Sequence, residues 1–391
     1  MQLIYVIYIY MIKFLYDFKQ NLKPLIYLFC TLCITHFASA DWNFFRGSAD
    51  MRGVAKTSLK LPLKLSWDAK IGRSVFATPV VSGGKVFIGN EEGRFVAMHI
   101  NDGKIIWEFM TDDIIEGTAC AVGKYVVFGA GDGYLYCLNK DTGKLNWKYE
   151  TDGEILGGVN LFKSNSDNKD YILVGSYDNY MHCVSLETGK PKWKYETQNY
   201  VNGAPGISEG KIYFGGCDAQ LYGIKTEDGK VHTTMDAENY IANSIVVVDS
   251  VAYVAHHGNR VAAFDLKEKK RIWEFGERDF PYFASPAVTK DSVFAAGRDK
   301  RLYRINRKTG EGIWEFKTGS GIESSPVVAG NTVFVGSGDG SLYGVDIQNG
   351  KEQWSFELGD NIRSSPAVVG GKLIIGCDDG KVYCFNENNS K

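Results

Sequence analysis

Seven tryptophans stand at nearly even spacing along the chain: Trp67, Trp107, Trp147, Trp193, Trp273, Trp314 and Trp354. The steps are 40, 40, 46, 80, 41 and 40 residues, and the double step places a missing member at Thr233. A repeat of this length is one supersecondary unit that cannot bury its apolar face alone, so neighbouring units must stack. The period therefore constrains the fold more tightly than the length of 391 residues, which by itself would suggest two or three domains.

Within the period the pattern is constant. Ser324-Ser325-Pro326-Val327-Val328 is followed by Asn331-Thr332-Val333-Phe334-Val335-Gly336, then Asp339-Gly340-Ser341-Leu342-Tyr343, then Gln348-Asn349-Gly350-Lys351 and Trp354. Three short β-branched and aromatic runs are separated by Gly, Asp and Asn turns, and a fourth run carries the Trp. Asp-Gly between such runs is a hairpin signal, because a type I′ turn needs positive φ. Four antiparallel strands per 40–45 residues is the signature of a propeller blade. First strands begin near Ala77, Gly117, Gly157, Gly203, Asn243, Ala284, Ser324 and Ser364. The eighth unit ends at Phe385 without a Trp strand, whereas Leu65-Ser66-Trp67 is a Trp strand without a unit. Ring closure solves both, with the strand around Trp67 completing the C-terminal blade and removing exposed edges. The expectation is an all-β, eight-bladed propeller of four-stranded antiparallel blades, a single domain over residues 41–391 with a lead-in segment at 41–62.

Residues 1–40 read differently. Lys13, Lys19 and Lys23 precede the apolar run from Leu25 to Ile34, and Ala38-Ser39-Ala40 stands before Asp41. A basic region, a short apolar region and an Ala-x-Ala site make a secretory signal peptide, with Met11 as an alternative start to Met1 and an uncleaved anchor as the rival reading. Cys33 does not sit in a lipid-attachment context, so the expected protein is exported, periplasmic or envelope-associated, and not a lipoprotein. Removal of residues 1–40 takes away three Lys and one Asp, moving the formal charge from −2 to −4. No basic excess exists to counter a phosphate backbone, which argues against nucleic-acid binding.

The Asp-Thr-Gly-Lys-x-x-Trp element, as in Asp141-Thr142-Gly143-Lys144 before Trp147, resembles the tryptophan-docking repeat of pyrroloquinoline-quinone-type propellers. The resemblance covers roughly residues 63–385. Asp41-Trp42-Asn43-Phe44-Phe45-Arg46-Gly47 is similar to the N-terminal Trp-x-x-Phe-Arg-Gly segment of exported members. The resemblance implies that Trp67, Trp107, Trp147, Trp193, Trp273, Trp314 and Trp354 dock against neighbouring blades and are structural. Two functional branches follow from it. One is the non-catalytic scaffold, which includes the exported propeller subunit of the outer-membrane barrel-assembly machinery. The other is the quinoprotein dehydrogenase, which holds pyrroloquinoline quinone (PQQ) beside calcium over the ring axis. Blades of 40–41 residues leave little room for cofactor-building loops, and the longest insert, Ser164-Asn165-Ser166-Asp167-Asn168-Lys169, reads as a surface turn. The family's paired adjacent cysteines are absent. The expected cofactor is therefore none, with PQQ and calcium as the alternative. The expected function is a protein- or peptide-binding scaffold at the cell envelope, monomeric and touching membrane only through partners. A polysaccharide-binding or sensing module is a third class.

Candidate contact residues come from aligning the units. Three positions before each Pro the chain reads Phe76, Glu116, Leu156, Asn202, Ala242, Phe283, Glu323 and Arg363, a ring expected around the channel mouth. Glu116, Asn202, Glu323 and Arg363 are its polar members. Glu323 and Arg363 lie on adjacent blades, either as a mutual ion pair or with Arg363 free to hold an anionic group. Tyr200, Tyr240 and Tyr282 recur just upstream in consecutive blades, and Tyr is favoured at interfaces. Blades four to six also depart most from the repeat, by drift or by selection: Thr233 replaces Trp, Lys267-Glu268-Lys269-Lys270 replaces Asp-Thr-Gly-Lys, and His256-His257-Gly258-Asn259 replaces the Asp-Gly hairpin. Adjacent His residues on a strand face opposite ways, so no metal site is expected. Cys120, Cys137, Cys183, Cys217, Cys377 and Cys384 fall at positions held apart by strand and blade spacing, which predicts buried free thiols rather than disulfides. No catalytic motif is present: there is no Gly-x-Ser-x-Gly, no His-Glu-x-x-His and no phosphate loop.

Overall fold

A computed structural model of the chain describes residues 41–276 and 278–388; the signal-peptide reading falls on residues outside these. Among the described residues, 32 strands form eight four-stranded antiparallel sheets. Blade one is Val80–Ser82, Lys85–Gly89, Arg94–His99 and Ile105–Met110, and the order repeats around the ring. The last blade is composite. Its outermost strand is Leu63–Lys70, paired with Lys381–Glu387 in the register Trp67 to Cys384, and Lys372–Gly376 and Ala367–Val369 follow inward. The predicted eight blades and their closure by the Trp67 strand are both found.

The Trp residues join blades. Each indole N–H donates to a backbone carbonyl of the next blade: Trp67 to Ile100, Trp107 to Lys140, Trp147 to Leu186, Trp193 to Thr226, Trp273 to Arg307 and Trp314 to Ile347, at 2.8–3.1 Å. The ring lies on the Gly three residues further on. At Gly103, Gly143, Gly189, Gly229, Gly310 and Gly350, all with positive φ, a Cβ would stand 2.6–2.8 Å from Trp atoms. Glycine is required there twice over, by conformation and by space. Trp354 meets the composite blade instead, and donates to Leu63 O at 3.2 Å.

Two departures from the repeat turn out to be one. Thr233 stands where blade four should carry its Trp, opposite Gly223. The turn it faces in blade five has Lys269 at the Gly position, still at φ 54°. Without an indole above it, that position tolerates a Cβ.

The cysteines obey the same geometry. Cys137, Cys183 and Cys384 lie directly across the strand pair from Trp147, Trp193 and Trp67, where blades one, four, five and seven use Ala or Gly and blade six uses Arg304. The six cysteines among the described residues are all free, five of them buried, and Cys217 is partly exposed rather than buried as expected.

Near the axis a second seam closes the ring. The residue before the Pro position donates its N–H to a hydroxyl of the next blade: Ala204 to Ser244, Ser244 to Ser285, Ser285 to Ser325, Ser325 to Ser365 and Ser365 to Thr78, at 2.9–3.2 Å. The last of these crosses the junction between the final and first blades. Small hydroxyl residues recur here because the strands converge too closely for larger ones, and each buried N–H needs an acceptor.

The lead-in is part of the fold. Trp42 exchanges two hydrogen bonds with Val81 of blade one. The chain then circles inside the ring. Asn43, Ala49, Asp50, Arg52 and Gly53 carbonyls accept from Ala121, Ile207, Val247, Val288 and Val328, and Asn160 Nδ2 also donates to Ala49. One segment thus touches the innermost strands of blades one to seven. Arg46 sits at its centre, 1% exposed. Its Nη2 donates to Pro286 O at 2.8 Å, while Nε and Nη1 have no partner among the described residues. Burial pulls this guanidinium down to about 9.

Candidate functional site

Each innermost strand starts at the mouth, so the residues that precede it rim the channel, as do the hairpins between second and third strands. The two sets are stitched together: the hairpin N–H groups of Gly131, Tyr177, Cys217, His257, Gly338 and Asp378 donate to Ile114, Glu154, Tyr200, Tyr240, Gly321 and Asn361 carbonyls. The site is therefore held by backbone on a rigid frame.

All eight aligned ring residues, Phe76, Glu116, Leu156, Asn202, Ala242, Phe283, Glu323 and Arg363, line one axial cavity of about 220 Å³. Its floor is Phe45 of the lead-in segment. The cavity is a cup, open at the mouth and closed below by the chain itself.

The expected pairing of Glu323 with Arg363 is not found. Glu323 accepts from Arg298 Nε at 2.8 Å, a residue of the preceding blade's hairpin. Arg363 donates to Asp378 of its own blade at 2.8 Å. Both guanidiniums lie on aromatic rings, Arg363 over Phe76 at 3.4 Å and Arg298 over Phe283 at 3.9 Å. Each hairpin supplies the partner at shorter reach than the neighbouring ring position, so Arg363 is already committed and is not a free anion holder. Glu116 is different. Its carboxylate makes no hydrogen bond or ion pair among the described residues. Desolvation by the surrounding wall raises it above the usual range, opposed by Arg363 and helped by Glu323 and Glu154.

The three tyrosines do not form one set. Tyr200 is 45% exposed and stacks on Tyr177, with centroids 4.6 Å apart and planes within 4°; Tyr240 is 53% exposed. Tyr282 is 2% exposed. It stands one position later in the repeat, aligned with the buried Ile115, Ile155, Val201, Ile241, Ile322 and Ile362. Pro281 holds the position of the exposed pair, so Tyr282 offers no surface and belongs to the core.

His256 and His257 face opposite ways as expected. His256 is buried and accepts from Gly258 N–H through Nδ1, and His257 lies 4.5 Å from the Phe283 ring. Burial lowers both imidazoles. Among the described residues, no three His, Cys, Asp or Glu side chains come together to hold a metal ion.

The family described as outer membrane protein assembly factor BamB matches the chain over residues 64–199, 156–276 and 257–391. The chain belongs to that family. Among solved structures, BamB from Moraxella catarrhalis superposes with a TM-score of 0.71 at 19% identity, covering 85% of this chain and 99% of that one. The quinohemoprotein alcohol dehydrogenase from Comamonas testosteroni gives 0.76 at 15% identity, covering 90% and 81%. At such identities these likenesses speak for the fold alone. A curated quinoprotein ethanol dehydrogenase from Pseudomonas putida is 41% identical over 69 residues, which is 17% of this chain and only 11% of that protein.

Residues of the cup do not fit a quinone held on calcium. Calcium takes six to eight oxygen ligands, whereas the ring offers one uncommitted carboxylate, Glu116. Glu323 is already paired with Arg298, and Phe45 rises into the floor.

The lead-in is the part that residue reading missed. Its resemblance to exported family members was visible, but not its place in the channel. Gly47 and Gly53 were the available signals. A Cβ on Gly47 would meet the Trp42 ring at 2.5 Å, and one on Gly53 would meet Arg46 at 2.1 Å.

Proposed function

We propose that this chain is an exported, non-enzymatic propeller that binds a protein or peptide partner at the cell envelope, as a monomeric scaffold in outer-membrane assembly. The observation that carries the reading is the cup. Its floor is the chain's own Phe45, and its rim charges are mostly satisfied by neighbours. Such a surface can receive a side chain or a loop but offers no catalytic constellation. Membership of the BamB family supports the same reading, and so does the short-looped frame. No helix among the described residues is long and apolar enough to cross a membrane.

The test is made in the organism that carries the protein. Deletion is expected to lower the amount of folded β-barrel protein in the outer membrane, and expression of the full chain is expected to restore it. Unchanged barrel content would remove the assembly role. The quinoprotein alternative, favoured by the short match to an ethanol dehydrogenase, is tested on residues 41–391 with PQQ and calcium. A saturable rise in melting temperature would favour that alternative over the scaffold.

A further inference from the structure

The mouth is divided by charge. Its loops over 111–119, 130–133, 151–159, 176–179, 197–205, 216–219 and 237–245 hold nine carboxylates and not one Lys or Arg. The arginines of the mouth, among them Arg73, Arg298 and Arg363, lie on the remaining blades, and each of these three has a carboxylate partner. The far face of the acidic sector carries both signs in its turns, Lys124, Lys140, Lys144, Lys190 and Lys230 beside Asp141, Glu187, Glu227 and Asp228. The low-dielectric walls of a cleft lined by one sign of charge focus the field outward and raise the local concentration of the opposite charge.

A further observation lies where this sector meets the axis. Glu116 lines the cup, exposed, without a hydrogen-bond or ion-pair partner among the described residues. The open requirement of the cup is thus for positive charge. Beside it, the stacked Tyr177 and Tyr200 and the exposed Tyr240 give flat faces on which a guanidinium can lie.

We infer that the cup receives a basic side chain, an arginine or lysine of a partner's extended segment, with Glu116 as its counter-charge and the acidic sector of blades two to five as the surface that steers it in. This rests on the scaffold reading and adds the chemistry of the partner. The segment would run across the tyrosines while one side chain enters the cup. The cup's volume of about 220 Å³ suits one long side chain and excludes a folded domain.

The experiment uses residues 41–391 and four probes. Three are fluorescein-labelled ten-residue peptides alternating Ser with Arg, with citrulline, or with Glu; the fourth is PQQ with calcium. Binding is read by anisotropy at low and high salt, and by melting temperature for the quinone. The Arg peptide is expected to bind saturably, to weaken as salt rises, and to lose about tenfold to a hundredfold in affinity with Glu116→Gln. The citrulline peptide, equal in shape but neutral, is expected to bind no better than that variant binds Arg. Asp112→Asn with Asp113→Asn is expected to slow association while leaving dissociation nearly unchanged. Equal binding of the Arg and citrulline peptides, or an unaffected Glu116→Gln, would overturn the inference and leave the scaffold standing. Absence of binding by any peptide would also overturn it, and a melting shift with the quinone in that case would remove the scaffold reading as well.

Discussion

Replacing Thr233 by Trp is expected to destabilise the protein, although Trp is what the seven other junctions use. The reason is Lys269. At six of those junctions the facing Gly would place a Cβ 2.6–2.8 Å from the indole, and Lys269 has that Cβ in the same left-handed conformation. Overpacking of this kind costs about 1–3 kcal/mol. Lys269→Gly alone should be close to neutral, since the entropy lost with a Gly is offset by relief of a positive-φ Lys, each about 1 kcal/mol. Together the two changes rebuild the junction: the indole can lie on the open face left by removing the Lys269 side chain and donate to Leu266 O, the equivalent of Thr226 O. Burying that ring beyond what Thr buries should gain about 1–2 kcal/mol. The coupling energy should therefore be favourable by at least about 2 kcal/mol. Urea unfolding of the wild type, both single variants and the double, compared at a common slope, measures it. Additivity within about 0.5 kcal/mol would refute the argument that Thr233 and Lys269 are one compensated change.

Four other outcomes follow from particular contacts. Glu227 of blade four accepts from Ser164, Ser166, Lys192 and the Asn165 N–H; desolvation raises its carboxyl, but these donors outweigh it and hold it at about 2. A depressed carboxylate stabilises above its unfolded value and loses that contribution as pH falls toward its folded one, so hydrogen-exchange protection over 164–169 should decline between about pH 4.5 and 2. Glu227→Gln should flatten that profile, and protection that ignores pH would contradict the clamp. Burial raises all six thiols, Cys137, Cys377 and Cys384 to about 12, so a thiol reagent should label Cys217 first and the other five only on unfolding. Arg46→Met removes two buried donors that have no acceptor among the described residues and should leave the melting temperature unchanged or higher. Gly53→Ala, forced against Arg46 at positive φ, should lower stability by more than about 2 kcal/mol, and a neutral result there would mean that the segment does not thread the ring.

Much of this architecture was legible in one dimension. The Trp spacing fixes blade number, the alternation of β-branched and aromatic runs with Asp-Gly turns fixes four strands per blade, and the orphan Trp67 strand fixes closure. The ring of eight mouth residues was also readable, because equivalent positions in equivalent units must lie on one circle. Tyr282 was misplaced because the connector of its blade is shifted by a residue, and a one-position slip exchanges surface for core. The pairing of Glu323 and Arg363 failed because repeat alignment ranks neighbours by blade, whereas salt bridges form at the shortest reach, here to hairpin residues Arg298 and Asp378.

By itself, then, the sequence determined everything that depends on local periodicity, since strand, turn and docking Gly are each specified within about forty residues. Only the tertiary structure decided what converges on the axis. Phe45 is some 70–300 residues away from most of the cup it floors. Arg46 meets Pro286 across 240 positions, and Glu116 is left unpartnered only because every nearby cation has a closer carboxylate. Such contacts are set by the radius of a closed ring, and no spacing along the chain encodes them.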